Sequence, residues 1–259
     1  MTTLERTLRD IRTSGSKCLV GYVMGGIRDD WTDLVRAVVD GGADAVEIGL
    51  PFSDPMLDGT TIQRASLAAL ERGTRLEQVL DDLPDVSAPL IAMTYSNHLV
   101  ARGAANFMGS LSSAGVSGSI VADLPFEEST EYLFEARAAS VSPVLMIAPS
   151  TPDEDAQQIA RASGGFVYAM GAMAPTGPQH DTREDRWEFA HRLRSEDGLP
   201  IMIGFGIDSP ERAVRAAHMS DGVVVASALM EAALEGASPT SIMRTVATFR
   251  ERLDEAGRR

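Results

Sequence analysis

Three carboxylates that could do acid–base chemistry share one short run, Val46-Glu47-Ile48-Gly49-Leu50-Pro51-Phe52-Ser53-Asp54-Pro55-Met56-Leu57-Asp58-Gly59. Glu47 stands where an apolar strand meets a loop. A carboxyl group there loses part of its hydration, which raises its pKa and lets it both give and take a proton near neutral pH. Asp54 and Asp58 lie on the loop, between Pro51, Pro55 and Gly59, residues that restrict the backbone and aim side chains at a fixed place. One carboxyl suits proton transfer and another suits a developing positive charge. Singly, each has a plainer explanation: Glu47 as a buried partner of an arginine, Asp58 as the first residue of an Asp-Gly turn.

Holding such groups in place requires a strand that ends in a loop, and the chain repeats that unit. Apolar patterning predicts strands at about 18–24, 44–50, 90–95, 118–123, 142–147, 165–170, 200–205 and 221–226, with helical stretches between them. Runs such as Gly118-Ser119-Ile120-Val121-Ala122 and Gly222-Val223-Val224-Val225-Ala226 suit a parallel sheet covered on its outer face. Eight such units close naturally as a (β/α)8 barrel in one domain over residues 1–259, the alternative being an open doubly wound sheet. Small-residue turns lead into the strands at Gly41-Gly42-Ala43-Asp44, Ala114-Gly115-Val116-Ser117 and Ser163-Gly164-Gly165. Polar groups gather at the other strand ends, at Glu47, Tyr95, Asn97, Asp123, Tyr168, Gly206 and Ser227, the end where barrel enzymes place their sites. Ser209 and Pro210 mark a capped helix start. Residues 3–13 read as an amphipathic helix that covers the bottom of the barrel.

Composition excludes several alternatives. A net charge of -14 argues against nucleic acid or an anionic membrane as partner, so an anionic substrate needs local backbone dipoles or single arginines. Cys18 is the only cysteine, which rules out an internal disulfide and a thiolate metal cluster and fits a reducing cytoplasm. Neither a signal peptide nor a bilayer-length apolar run is evident, so a soluble cytoplasmic protein is expected. Lys17, the sole lysine, precedes the first strand, a poor place for Schiff-base chemistry. His98, His180, His191 and His218 lack metal-ligand spacing, and no metal is expected.

The run from Glu47 to Pro55, followed by Asp58-Gly59 and Ile62-Gln63, resembles the signature of the tryptophan synthase alpha subunit family. The resemblance continues in order through Met93-Thr94-Tyr95-Ser96-Asn97, Ala122-Asp123-Leu124-Pro125, Gly165-Phe166-Val167-Tyr168, Thr176-Gly177, Gly204-Phe205-Gly206-Ile207 and Ala226-Ser227-Ala228. It implies a TIM barrel with an extra N-terminal helix and a retro-aldol cleavage of indole-3-glycerol phosphate to indole and glyceraldehyde 3-phosphate, without a cofactor. Glu47 and Asp58 match the family's catalytic carboxylates, with Tyr168 supporting the pocket near the reacting hydroxyl. Tyr22, Ile62 and Ile120 are candidates to wall the indole, although each could be plain core. Gly177, Gly206, Ala226 and Ser227 match the phosphate-binding positions. The implied partner is a pyridoxal-phosphate-dependent beta subunit of tryptophan synthase.

Three departures from the family pattern bear on loop closure. Ala174-Pro175 stands where the family usually has glycine followed by valine or isoleucine, Ala226 stands for a glycine beside Ser227, and Thr60 for a proline after Asp58-Gly59. They leave two further readings open, a free-standing indole-producing lyase of a secondary pathway and a catalytically poor barrel that binds and activates a beta-type partner.

Overall fold

A computed structural model describes residues 1–171 and 187–257. Its strands are β1 (Cys18–Met24), β2 (Ala45–Gly49), β3 (Leu90–Thr94), β4 (Val116–Val121), β5 (Ser142–Pro143), β6 (Leu145–Ile147), β7 (Val167–Met170), β8 (Ile201–Gly204) and β9 (Gly222–Val225). The helices are α1 (Thr3–Thr13), α2 (Trp31–Asp40), α3 (Thr60–Glu71), α4 (Leu76–Asp81), α5 (Ser96–Arg102), α6 (Ala104–Ser113), α7 (Thr130–Ala138), α8 (Asp153–Ala162), α9 (Glu188–Leu193), α10 (Pro210–Met219), α11 (Ser227–Leu234) and α12 (Pro239–Gly257).

All strand pairs are parallel, in the order β5-β4-β3-β2-β1-β9-β8-β7-β6. The two ends of that order are halves of one stretch, 142–147, so the sheet closes on itself as a barrel. The eight expected strands become nine because Pro143 has no N–H to give and the stretch changes partners. Val144 N–H still donates to Ser119 O at 2.8 Å on the β4 side, and Leu145 pairs with Val167 on the β7 side. The Leu145 N–H itself goes to Ser163 Oγ at 3.0 Å. Burial on both faces explains the unbroken apolar strands, since β1 is buried at every position and so are β2, β3, β8 and β9.

Helices cover the outside with one apolar stripe each. On α2 the buried positions Trp31, Leu34, Val35 and Val38 recur at helical spacing. On α12 they are Ile242, Val246, Phe249 and Leu253, and this helix packs against α2 and α10. Ser209 caps α10 by accepting from Arg212 N–H, with Pro210 at the first helical position, as the sequence predicts.

The N-terminal helix plugs the bottom of the barrel. Leu4 and Leu8 of α1 are fully buried, and Leu4 lies against Gly118 of β4 and Gly165 before β7, where a side chain on either glycine would collide with it. Burying each leucine contributes about 2 kcal/mol. Ionic contacts seal the same end. Asp221 accepts from Ile201 N–H at 2.9 Å and Arg194 Nε at 3.0 Å, and Asp44 accepts from Leu19 N–H at 2.7 Å and Arg250 at 3.2 Å. Lys17 donates to Ser220 O at 2.8 Å in this cluster, at the opposite end of the barrel from Glu47. Among the described residues, no helix is long and apolar enough to cross a membrane.

Candidate active site

Strand ends and the loops after them line a cavity whose empty space, open mouth included, is about 540 Å³. Its lining combines Tyr22 from β1, Glu47 from β2, Met93 from β3 and Tyr168 from β7. Leu57, Asp58, Gly59 and Ile62 come from the connection after β2, Phe205 and Gly206 from that after β8, and Ala226 and Ser227 from that after β9. Most of the residues that the sequence nominates thus meet in one place.

Ile120 does not. The Ser119 hydroxyl bonds Tyr132 of α7 at 2.9 Å, so Ser119 faces the helices and Ile120 faces the barrel interior, where it is wholly buried and outside the cavity lining. Gly177, together with Ala174 and Pro175, lies outside the described residues. Asp54 is exposed and bonds Ser53 Oγ at 2.5 Å. Asp123 ties strand ends together by accepting from Ser96 N–H at 2.6 Å and Ser96 Oγ at 2.8 Å.

Glu47 is the third residue of β2, in register with Tyr22 on β1 and Ile91 on β3. It is 1% exposed, and its Oε1 has no hydrogen-bond partner among the described residues. Burial first, and the Asp58 charge second, push its carboxyl up to about 8. Asp58 is pushed up to about 6 by burial, opposed by a hydrogen bond from the Tyr95 hydroxyl. At neutral pH the two therefore differ in charge, Glu47 holding its proton and Asp58 ionised. Tyr22 and Tyr168 are fully buried phenols held well above their ordinary range by burial and by these two carboxylates. Both stay neutral and can donate.

Two glycines make room for the two tyrosines. A side chain on Gly49 would overlap the Tyr22 hydroxyl, and one on Gly204 would overlap the Tyr168 hydroxyl. After β8 the backbone turns through Phe205 at φ 69° and Gly206 at φ 77°. A phenylalanine in the left-handed region costs on the order of 1–3 kcal/mol. Its ring meets Tyr168 edge-on at 5.9 Å, a contact that helps to hold it there. Phe205, Met93, Leu57 and Gly59 were not nominated from the sequence as site residues. Phe205 was legible in principle, because Gly204-Phe205-Gly206 sits at a predicted strand end.

Thr60 occupies the first position of α3, where a missing N–H costs nothing. The loop before it keeps other ties: Gln63 Nε2 donates to Asp58 O at 2.8 Å and Asp58 N–H to Pro55 O at 3.0 Å. Ala226 has φ -116°, a conformation open to any residue, so its methyl enters the cavity wall without backbone strain. Among the described residues no group of three His, Cys, Asp or Glu side chains could hold a metal ion.

A closed parallel barrel with a buried acid and an ionised carboxylate at the C-terminal ends of its strands defines an acid–base barrel enzyme. Comparison with known proteins narrows the class. The sequence model described as tryptophan synthase alpha chain matches residues 8–257. A tryptophan synthase alpha chain of Picosynechococcus is 36% identical over 263 residues, covering 99% of each chain. That of Petrotoga mobilis is 35% identical over 224 residues, covering 83% of this chain and 86% of the relative. Among solved structures, a chain of Mycobacterium tuberculosis tryptophan synthase superposes with a TM-score of 0.88 at 29% identity, covering 98% of each chain. The alpha chain of Legionella pneumophila gives 0.85 at 28% identity, again covering 98% of each. The chain belongs to the tryptophan synthase alpha chain family, lyases that cleave indole-3-glycerol phosphate to indole and glyceraldehyde 3-phosphate and work with a beta subunit.

Proposed function

We propose that Glu47 and Asp58 carry the family's retro-aldol cleavage in this chain. The observation that supports this most is Glu47 itself, a buried carboxyl in the wall of the cavity that Asp58 also lines, with an oxygen that has no partner among the described residues. A carboxyl that starts protonated suits the first step. It gives its proton to indole C3 and leaves an indolenine cation. The resulting carboxylate then takes the proton of the side-chain hydroxyl while the carbon–carbon bond breaks. The bonding pair returns to the indole ring, the aldehyde forms, and no proton is gained or lost overall. Asp58, ionised, accepts from the indole N–H and stabilises the charge that builds on that nitrogen. Tyr168 supports the pocket near the reacting hydroxyl, while Tyr22 and Ile62 wall the indole. Backbone N–H groups around Gly206, Ala226 and Ser227, at the start of α11, would receive the phosphate together with Gly177.

The partner would be a pyridoxal-phosphate-dependent beta subunit that consumes the indole. The buried, unpaired Cys18 suits a cytoplasmic setting. The test is turnover of indole-3-glycerol phosphate by the isolated chain. Glu47→Gln should lose turnover by on the order of 10² or more while substrate affinity changes little, because the amide keeps the shape and cannot transfer a proton. Near wild-type turnover by this variant would remove Glu47 from the chemistry.

A further inference from the structure

We propose that Tyr95 is a positioning residue that locks the catalytic loop by one hydroxyl bridging its backbone and the Asp58 carboxylate, an inference that rests on the lyase reading above. The Leu57 N–H donates to the Tyr95 hydroxyl at 3.2 Å, which leaves the hydroxyl's own proton for the carboxylate of the next residue, Asp58. Adjacent residues of the loop thus meet at one oxygen. Tyr95 does not line the cavity, so it acts through Asp58 and does not touch the substrate.

The post that carries this hydroxyl is rigid. Tyr95 follows the last residue of β3 and stands immediately before the first residue of α5. The next residue, Ser96, is fixed to Asp123 beyond β4 by both its N–H and its hydroxyl, which sets the backbone at position 95 against two strands. The Tyr95 ring packs at a tilt against Phe52 at the start of the same loop, with ring centroids 5.1 Å apart, and Phe52 exchanges hydrogen bonds with Ser66 of α3 at 3.0 and 2.8 Å. The loop is held at its entry by the ring and near its end by the hydroxyl.

That arrangement has an electrostatic consequence. The titratable groups facing Asp58 among the described residues are Glu47 on β2, Tyr22 on β1, Tyr168 on β7 and Tyr95 after β3. None of them is a cation, so the Tyr95 hydroxyl is the group that opposes the effect of burial on Asp58.

Tyr95→Phe removes the hydroxyl and keeps the ring on Phe52. The Asp58 carboxyl, followed by carbon NMR across pH in the ligand-free protein, should titrate higher by roughly one pH unit. The acid limb of kcat/KM should move up with it, kcat should fall about tenfold, and KM should change little. Introduced beside Asp58→Asn, the same change should cost almost nothing more. An unmoved Asp58 titration, or an undiminished loss in the Asp58→Asn background, would overturn the proposal. If the titration moves but wild-type protein does not cleave indole-3-glycerol phosphate, the lyase reading fails and the bridging role stands.

Discussion

Glu47 illustrates how a single buried residue links activity to stability. Its carboxyl is raised from 4.5 to about 8, so the folded protein keeps a proton that the unfolded chain releases between those values. Folding stability therefore falls as pH rises through this window and levels off above it. Gln at position 47 does not titrate. Glu47→Gln should match wild type in denaturant unfolding at pH 5 and exceed it by on the order of 3 kcal/mol at pH 9. A gap that does not change with pH would mean that burial does not control Glu47. Asp58 titrates in the same direction at lower pH but is present in both proteins. The two carboxylates were legible in the sequence because Glu47 lies near the end of an apolar strand and Asp58 on the loop that follows it, with Pro51 and Pro55 between them. The role of Tyr95 was not, because its bond to Leu57 joins residues far apart in the chain, and nothing local to Tyr95 signals it.

Elements supply the frame, and α1 gives the clearest case of a local pattern with a distant effect. Leu4 fills the space left by Gly118 and Gly165, neither of which can move a side chain into a vacancy. Leu4→Ala should therefore cost about 2–5 kcal/mol and lower Tm, while turnover at 25 °C stays near wild type because the site lies at the other end of the strands. Thermal unfolding and a turnover assay on the same sample check both halves, and lost turnover in a folded variant would contradict the separation. Strands were readable from the sequence where both faces are buried, as in β1, and the extent of α1 was readable from its amphipathic period. The break between β5 and β6 was not, because it depends on which neighbours receive the hydrogen bonds around Pro143. The depth of Ile120, buried beyond the cavity lining, was not readable for a similar reason. Pairing between β3 and β4 slips near Leu90, so Ser117 is skipped and the facing of later β4 residues is set by that irregularity.

At the scale of the whole molecule, the barrel separates a sealed end from an open one. The sealed end carries α1, with Leu4 and Leu8 buried beneath it, and the ion pairs of Asp44 and Asp221. The cavity end differs. Met56 is 74% exposed on the loop after β2, and Val100 is 79% exposed on α5 after the neighbouring β3. Large apolar side chains left in water beside a cavity mouth fit a surface that a partner covers. The same loop bears Asp58, so a partner seated there would also restrict the position of that carboxylate. Isolated chain should then turn over slowly, and a cognate beta subunit should accelerate it. Val100→Asp tests the location. An exposed substitution of this kind usually changes stability by less than about 0.5 kcal/mol, so isolated turnover should stay within about twofold of wild type. Burying an unpaired carboxylate in an apolar contact is costly, so acceleration by the beta subunit should fall at least about tenfold at a fixed partner concentration. Undiminished acceleration would mean that the partner docks elsewhere. Fast isolated turnover with no effect of the partner would instead identify a lyase that closes its loop alone.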